Sequence, residues 1–252
     1  VTLSSLPDLK SYPISSDNTQ ITLDSTSKEI TYGDSITLKA SVTSDTPQTV
    51  TWKSSNTAVA TVKDGVVTAT GKGTAKITAS LPNGRSAVCT VKVTTKKLPT
   101  SGCSYASTAQ YTGSAIIPTV TVKDGSKVLR QNIDYRVIVT NNVKIGHANI
   151  TISGMGNYYG SYSAGFDIIP AKQTIQKLET RYKGFFVDWA QKGSATGYDI
   201  QYSTSANMSG TASKHLTANK PDNLTISGLT ADKTYYVRVR SYTNVGSKTY
   251  YG

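Results

Sequence analysis

The sequence predicts an all-β chain built from three small sandwich modules in tandem, and three observations carry that expectation. Apolar and polar residues alternate with a period of two, turn-forming dipeptides interrupt the alternation at short intervals, and no stretch sustains a helical period. Ile36, Leu38, Ala40 and Val42 alternate with Thr37, Lys39 and Ser41, as Ala75, Ile77 and Ala79 do with Lys76, Thr78 and Ser80. A strand sends successive side chains to opposite faces, so each run reads as a half-buried strand. Gly33-Asp34, Asp64-Gly65, Gly71 to Gly73 and Asn83-Gly84 fall where hairpins need turns.

A chain of 252 residues exceeds one ordinary sandwich domain and suits two or three, each with a small core. Only 17% of residues are charged and 37% hydrophobic, leaving a remainder rich in Thr, Ser, Asn and Gly, the balance of an extracellular β-protein. No window approaches the roughly 18 apolar residues of a membrane span. The start, Val1 to Lys10, lacks the basic flank and apolar core of an export signal, so the segment reads as soluble, with any signal or anchor outside it. Cys89 shares the inward parity of Ala87, Val91 and Val93, whereas Cys103 sits in a Pro/Gly/Ser stretch, which argues against a bridge between them.

The net charge of +12 favours polyanionic partners such as wall polymers or acidic glycans. The excess is spread along the chain, with net +3 over residues 21–95, +4 over 96–170 and +6 over 171–252, and no run of five basic residues occurs. That pattern argues against a nucleic-acid partner.

From Ile21 the first module runs through Leu23, Gly33, Leu38 and Val42, then Thr51-Trp52-Lys53-Ser54-Ser55-Asn56, Val59-Ala60-Thr61-Val62, Gly65-Val66-Val67-Thr68-Ala69 and Gly71-Lys72-Gly73-Thr74-Ala75. With Cys89, Val91 and Val93 at its close, residues 21–95 resemble the group 2 bacterial immunoglobulin-like domains, with Trp52 as the large core aromatic. Residues 1–20 read as an N-terminal segment or linker.

A linker rich in Lys, Pro, Ser and Gly follows from Thr94 to Ser107. Beyond it, Val120 and Val122, Tyr135, Val137 and Val139, Ile150 and Ile152, and Phe166 and Ile168 mark inward positions. Tyr111-Thr112-Gly113, Pro118, Val120 to Gly125, Asp134-Tyr135, Asn141-Asn142, Gly146, and Gly154 with Gly156-Asn157-Tyr158 resemble an Ig-like repeat of Firmicutes surface proteins. Linker and repeat together span 96–171.

In the last segment, 172–252, Phe185, Val187 and Trp189 share one strand face and Tyr198, Ile200 and Tyr202 the next, followed by Leu224, Ile226, Leu229, Tyr235, Val237 and Val239. This resembles a fibronectin type III domain, which implies Trp189 as the second-strand tryptophan and Leu229 with Tyr235 as the tyrosine corner. The run Tyr242 to Tyr251 reads as the end of the pattern, so the module is expected to lack its last strand.

Motifs that imitate chemistry have simpler readings. Gly65 to Lys72 is one residue too long for a phosphate loop, with Gly73 where Ser or Thr is required and a strand following. Gly154, Gly156 and Gly160 are followed by strand, so no helix N-terminus is available for a pyrophosphate. Leu98-Pro99-Thr100-Ser101-Gly102 resembles a sortase signal, but two further modules follow, and it reads as linker. His147 and His215 share no motif, and acidic residues such as Asp64, Asp124 and Asp222 stand singly at turns. No catalytic residue, metal ligand or cofactor site is therefore assigned.

If Tyr235, Val237 and Val239 face inward, then Tyr236, Arg238, Arg240 and Tyr242 face outward as a stripe of alternating aromatic and basic residues. Guanidinium groups take carboxylate or sulfate bidentately and aromatic faces pack on sugar rings, which suits an acidic glycan. The resemblances imply a monomeric, non-catalytic region of a Gram-positive surface or secreted protein. Such a region spaces its neighbours and binds wall polymers, glycans or host surface proteins. The alternative is an accessory region of a secreted carbohydrate-active or wall hydrolase whose catalytic domain lies elsewhere.

Overall fold

The structure, a computed structural model, describes residues 18–220 and 222–252, so most of the N-terminal segment 1–20 lies outside the described residues. Every regular element among those residues is a β-strand. The strands form two compact units, one ending at Lys96 and the other running from Lys97 to Gly252.

In the first unit, Ser27–Thr31, Ser86–Thr94, Gly73–Ser80 and Thr51–Ser54 form a four-stranded sheet in that order. Ser35–Thr37, Val66–Ala69 and Ala60–Lys63 form a three-stranded sheet. Period-two alternation gives each sheet one apolar face, and the two faces meet in a core that includes Leu38, Val67, Ile77, Cys89 and Val91. Trp52 is half-buried and packs against this core and against a smaller cluster of Ile21, Ala79 and Leu81.

The run from Ile36 to Val42, continuous in sequence, is divided. Ser35–Thr37 pairs with Val66–Ala69, whereas Ala40–Thr43 pairs with Gln20–Leu23. Between them Leu38 donates its N–H to Gly65 O and Lys39 donates its own to Asp24 Oδ1. Alternation continues through the crossing, and so the switch of sheets leaves no mark on the sequence.

The second unit contains two pairs of sheets. In the first, Thr108–Gln110, Ser161–Ile169, Gly146–Gly154 and Tyr135–Thr140 form one sheet, and Cys103–Ser104, Thr121–Asp124 and Lys127–Val128 the other. Val122, Ile150, Ile152, Phe166 and Ile168 are buried. The Lys/Pro/Ser/Gly stretch expected to be linker contributes to this unit: Leu98 is buried with its N–H on Tyr159 O, and Cys103–Ser104 pairs with Thr121 and Val122. Cys89 and Cys103 are free thiols.

The second pair of sheets begins at Ile175–Arg181, which is followed by Gly184–Trp189 and Asn223–Ser227. Facing them is the sheet Ala212–Leu216, Gly197–Ser203, Tyr236–Val245 and Lys248–Tyr251. Trp189, fully buried, lies 5.3 Å from Tyr198 between ring centroids. Tyr235 turns its hydroxyl back to accept the Thr230 N–H at 3.3 Å.

The expectation that this module lacks a last strand is corrected. Lys248–Tyr251 pairs antiparallel with Tyr242–Val245 across the two-residue turn Gly246-Ser247. Gly246 has φ 58°, as the first central residue of a hairpin turn requires. Tyr242, Val245, Tyr250 and Tyr251 do not share one parity, and Gly246-Ser247 is the two-residue dipeptide of a hairpin, so the sequence itself carries the signal of this turn.

Lys248 on that strand reaches the preceding sheets of its unit. Its Nζ lies 2.8 Å from Asp167 Oδ2, while His147 Nδ1 lies 2.9 Å from Asp167 Oδ1. The hydrogen bonds from Lys248 and then His147 hold the Asp167 carboxyl below the usual carboxylate range.

Two outcomes are expected. Ile77→Ala should cost about 3 kcal/mol in urea titration, because Ile77 is fully buried and its removal leaves a cavity. Asp167 has a folded pKa below its unfolded value of about 3.9, so its contribution to stability is present above that value and lost as pH falls through the folded one. The gap in melting temperature between the parent chain and Asp167→Asn should therefore close below about pH 4. A gap unchanged from neutral to strongly acid pH would show that the pair contributes nothing.

Candidate binding face

The ladder between Gly197–Ser203 and Tyr236–Val245 sets Arg238 opposite Gln201, Arg240 opposite Asp199 and Tyr242 opposite Gly197. The edge strand Ala212–Leu216 adds Ser213 beside Gln201 and His215 beside Asp199. Because partners directly opposite share a face, these side chains form rows across the outer surface of the sheet.

One row is held by its own charges. Asp199 is buried at 7% exposure, and Oδ2 accepts from Arg240 Nε at 3.1 Å and Nη2 at 2.9 Å. Asp199 Oδ1 lies 2.5 Å from His215 Nδ1. The Arg240 guanidinium also sits 3.8 Å above the Tyr251 ring. A buried carboxylate is costly unless its oxygens are paired, and here both are.

Below this row, Tyr242 is 2% exposed and stacks on His215, with ring centroids 4.6 Å apart and planes 15° apart. Its hydroxyl donates to Leu216 O at 3.0 Å. The ring lies flat because Gly197 offers no side chain: a Cβ there would stand 2.6 Å from the Tyr242 hydroxyl and 1.9 Å from Leu216 O. Burial pushes the Tyr242 phenol up, and Asp199 and Tyr251 add to the shift.

The next row is open. Arg238 is exposed and donates from Nε to Gln201 Oε1 at 2.7 Å, its one side-chain hydrogen bond among the described residues. Tyr236, two residues before it on the same face, is 44% exposed.

Of the four residues expected to form a stripe, the structure places Tyr236 and Arg238 at the surface, ties Arg240 to Asp199, and covers Tyr242. The outward parity of Tyr242 is right, but its ring is a floor beneath His215 and not a free platform. Gln201, Ser213, His215 and Asp199 were missed, since they join the stripe only through strand pairing.

Both histidines are thus held by aspartates at Nδ1, and among the described residues neither bonds a hydroxyl or thiol. Such a pair orients a ring without supplying a nucleophile. No group of three or more His, Cys, Asp or Glu side chains suited to a metal occurs among the described residues. No helix among them is long and apolar enough to cross a membrane.

The family model of the bacterial Ig-like domain (group 2) matches residues 17–91, and that of the fibronectin type III domain matches 173–251. The chain joins a bacterial Ig-like domain to a fibronectin type III domain. The fibronectin type III match includes the final strand Lys248–Tyr251, and the candidate face lies wholly within that domain.

A 51-residue stretch is 57% identical to a lacto-N-biosidase of Bifidobacterium bifidum, covering 20% of this chain and 5% of that protein. Among solved structures, the FN1-FN3 domains of chicken CNTN1 are 11% identical at a TM-score of 0.29, covering 92% of this chain and 97% of that one. The Yersinia pseudotuberculosis adhesin InvE is 14% identical at 0.30, covering 68% of this chain and 67% of that one. Scores this low carry no statement about arrangement or function.

The two arginines should separate in urea titrations. Asp199→Asn is expected to cost about 2 kcal/mol, because it weakens charge-assisted bonds at a buried carboxylate. Arg238→Gln is expected to cost no more than about 0.5 kcal/mol, as a surface change. Equal losses would show that Arg238 is also a structural tether.

Proposed function

We propose that this chain is a non-catalytic region of an extracellular bacterial protein, in which small β-modules space their neighbours and bind glycans or wall polymers. The observation that carries the reading is the open row of the fibronectin type III face, where an exposed guanidinium and an exposed tyrosine stand together on a rigid sheet. The modules are assigned to residues 21–95, 96–171 and 172–252, acting as a monomer at or released from a Gram-positive surface. The family matches support an extracellular setting, and the net charge of +12 supports an anionic partner. Host surface proteins are the other partner class that such domains suit.

The stretch shared with a protein named as a lacto-N-biosidase favours one specific setting, an accessory region attached to a secreted carbohydrate-active enzyme. In that setting the modules hold the parent protein near its polymer while another domain does the chemistry. The two readings share the same role for this chain and differ in what the parent carries.

The experiment is a co-sedimentation of the 252-residue chain with insoluble wall polysaccharide and with mucin-coated beads, paired with an assay for released reducing sugar. Retention on at least one of them without sugar release is expected, and retention should weaken as salt rises. Release of sugar by the purified chain would contradict the non-catalytic assignment, and absence of retention on both would contradict the binding role.

A further inference from the structure

The geometry points to a site for a sugar carrying a single carboxylate, centred on Arg238 and bounded by Tyr236, Gln201 and Ser213. This rests on the binding-module reading above and narrows it from polyanions in general to one anionic group.

The narrowing follows from how the face distributes its charges. Arg240 is the more central cation of the stripe, yet its guanidinium is engaged twice by Asp199 and covered on one side by Tyr251. Together with the carboxylate of Asp199 it adds no net charge to the face. Arg238 has no carboxylate partner among the described residues, and only its Nε is engaged. A single uncompensated fork suits one carboxylate, which it can grip through two parallel N–H bonds. A polysulfated or polyphosphate chain requires several such cations in register, whereas on the outward paired rows of the sheet Arg238 alone is uncompensated and only Lys172 joins it, from the cleft alongside.

The surroundings suit a sugar ring attached to that carboxylate. Gln201 fixes Arg238 through its carbonyl oxygen, which leaves its NH2 group as a donor beside the fork. Ser213, exposed and directly across from Gln201, extends the polar row with a hydroxyl. Tyr236 lies on the same strand face two residues from Arg238, a spacing of about 7 Å, within the span of one sugar ring and its carboxyl group. Tyr236, 44% exposed as a residue, offers an aromatic surface on which a sugar face packs. These groups stand on the two central strands of a four-stranded sheet and on its edge neighbour, so they need little ordering before binding.

The test is an NMR titration of the whole 252-residue chain with 3′-sialyllactose, galacturonate, lactose and a heparin tetrasaccharide. Sialyllactose or galacturonate is expected to bind at least about tenfold more tightly than lactose, and which of the two binds identifies the acid. Its affinity should fall with salt at a log–log slope no steeper than about −1, as one ion pair dictates. Arg238→Gln should weaken binding at least about tenfold, and Arg238→Lys, which keeps the charge and loses the fork, should restore little of it. Tyr236→Ala should weaken binding with no change in salt slope, while Lys63→Gln, in the other unit, should leave it intact.

Equal binding of lactose, binding of neither acidic sugar, full rescue by lysine, or preference for heparin with a slope of several would each overturn the site. If the unaltered chain is retained on wall polysaccharide or mucin and Arg238→Gln is retained equally, the site assignment falls and the binding-module reading stands. If the unaltered chain is retained by neither, that reading falls with it.

Discussion

The antiparallel ladder between Gly197–Ser203 and Tyr236–Val245 is the constraint on which the rest of the fibronectin type III domain depends. One register decides two faces at once. Inward it stacks Tyr198, Ile200 and Val239 against Trp189 and Val187 to form the core. Outward it brings Asp199 under Arg240 and leaves Gln201 beside Arg238. A slip by one residue would send the arginines into the core and the valines to water, so core burial fixes the placement of every polar group on the outer face. The same logic holds in the first unit, where Ile77 and Val91 on one sheet face Val67 on the other.

Period-two alternation makes the cores legible in the sequence itself. Ala75, Ile77 and Ala79, Phe185, Val187 and Trp189, and Ile150 and Ile152 are all buried where parity puts them. What parity cannot report is where a run is cut. The passage from Ile36 to Val42 changes sheets while it keeps alternating, and that from Tyr242 to Tyr251 folds back at Gly246. The backbone makes those breaks, one through hydrogen bonds to Asp24 and Gly65 and the other through a positive φ.

The candidate face is half legible for a related reason. Parity gives the direction of Tyr236, Arg238, Arg240 and Tyr242 correctly but says nothing of depth. Depth depends on partners distant in the chain: Asp199, 41 residues from Arg240, converts a free cation into a tether, and His215 covers the Tyr242 ring. Of two arginines that look equivalent in sequence, the structure makes one part of the fold and leaves the other exposed.

Gly197 and Tyr242 occupy what is in effect one shared volume, the vacancy of the first filled by the ring of the second. Neither position can vary alone. A side chain at 197 would evict the ring, and a small residue at 242 would strip His215 of its stacking partner and open a hollow beneath the Asp199 row. Descent should therefore treat the two sites as a single inherited character. Substitutions there would be accepted only in pairs, while Arg238 and Tyr236, exposed on the same sheet, carry no such mutual constraint.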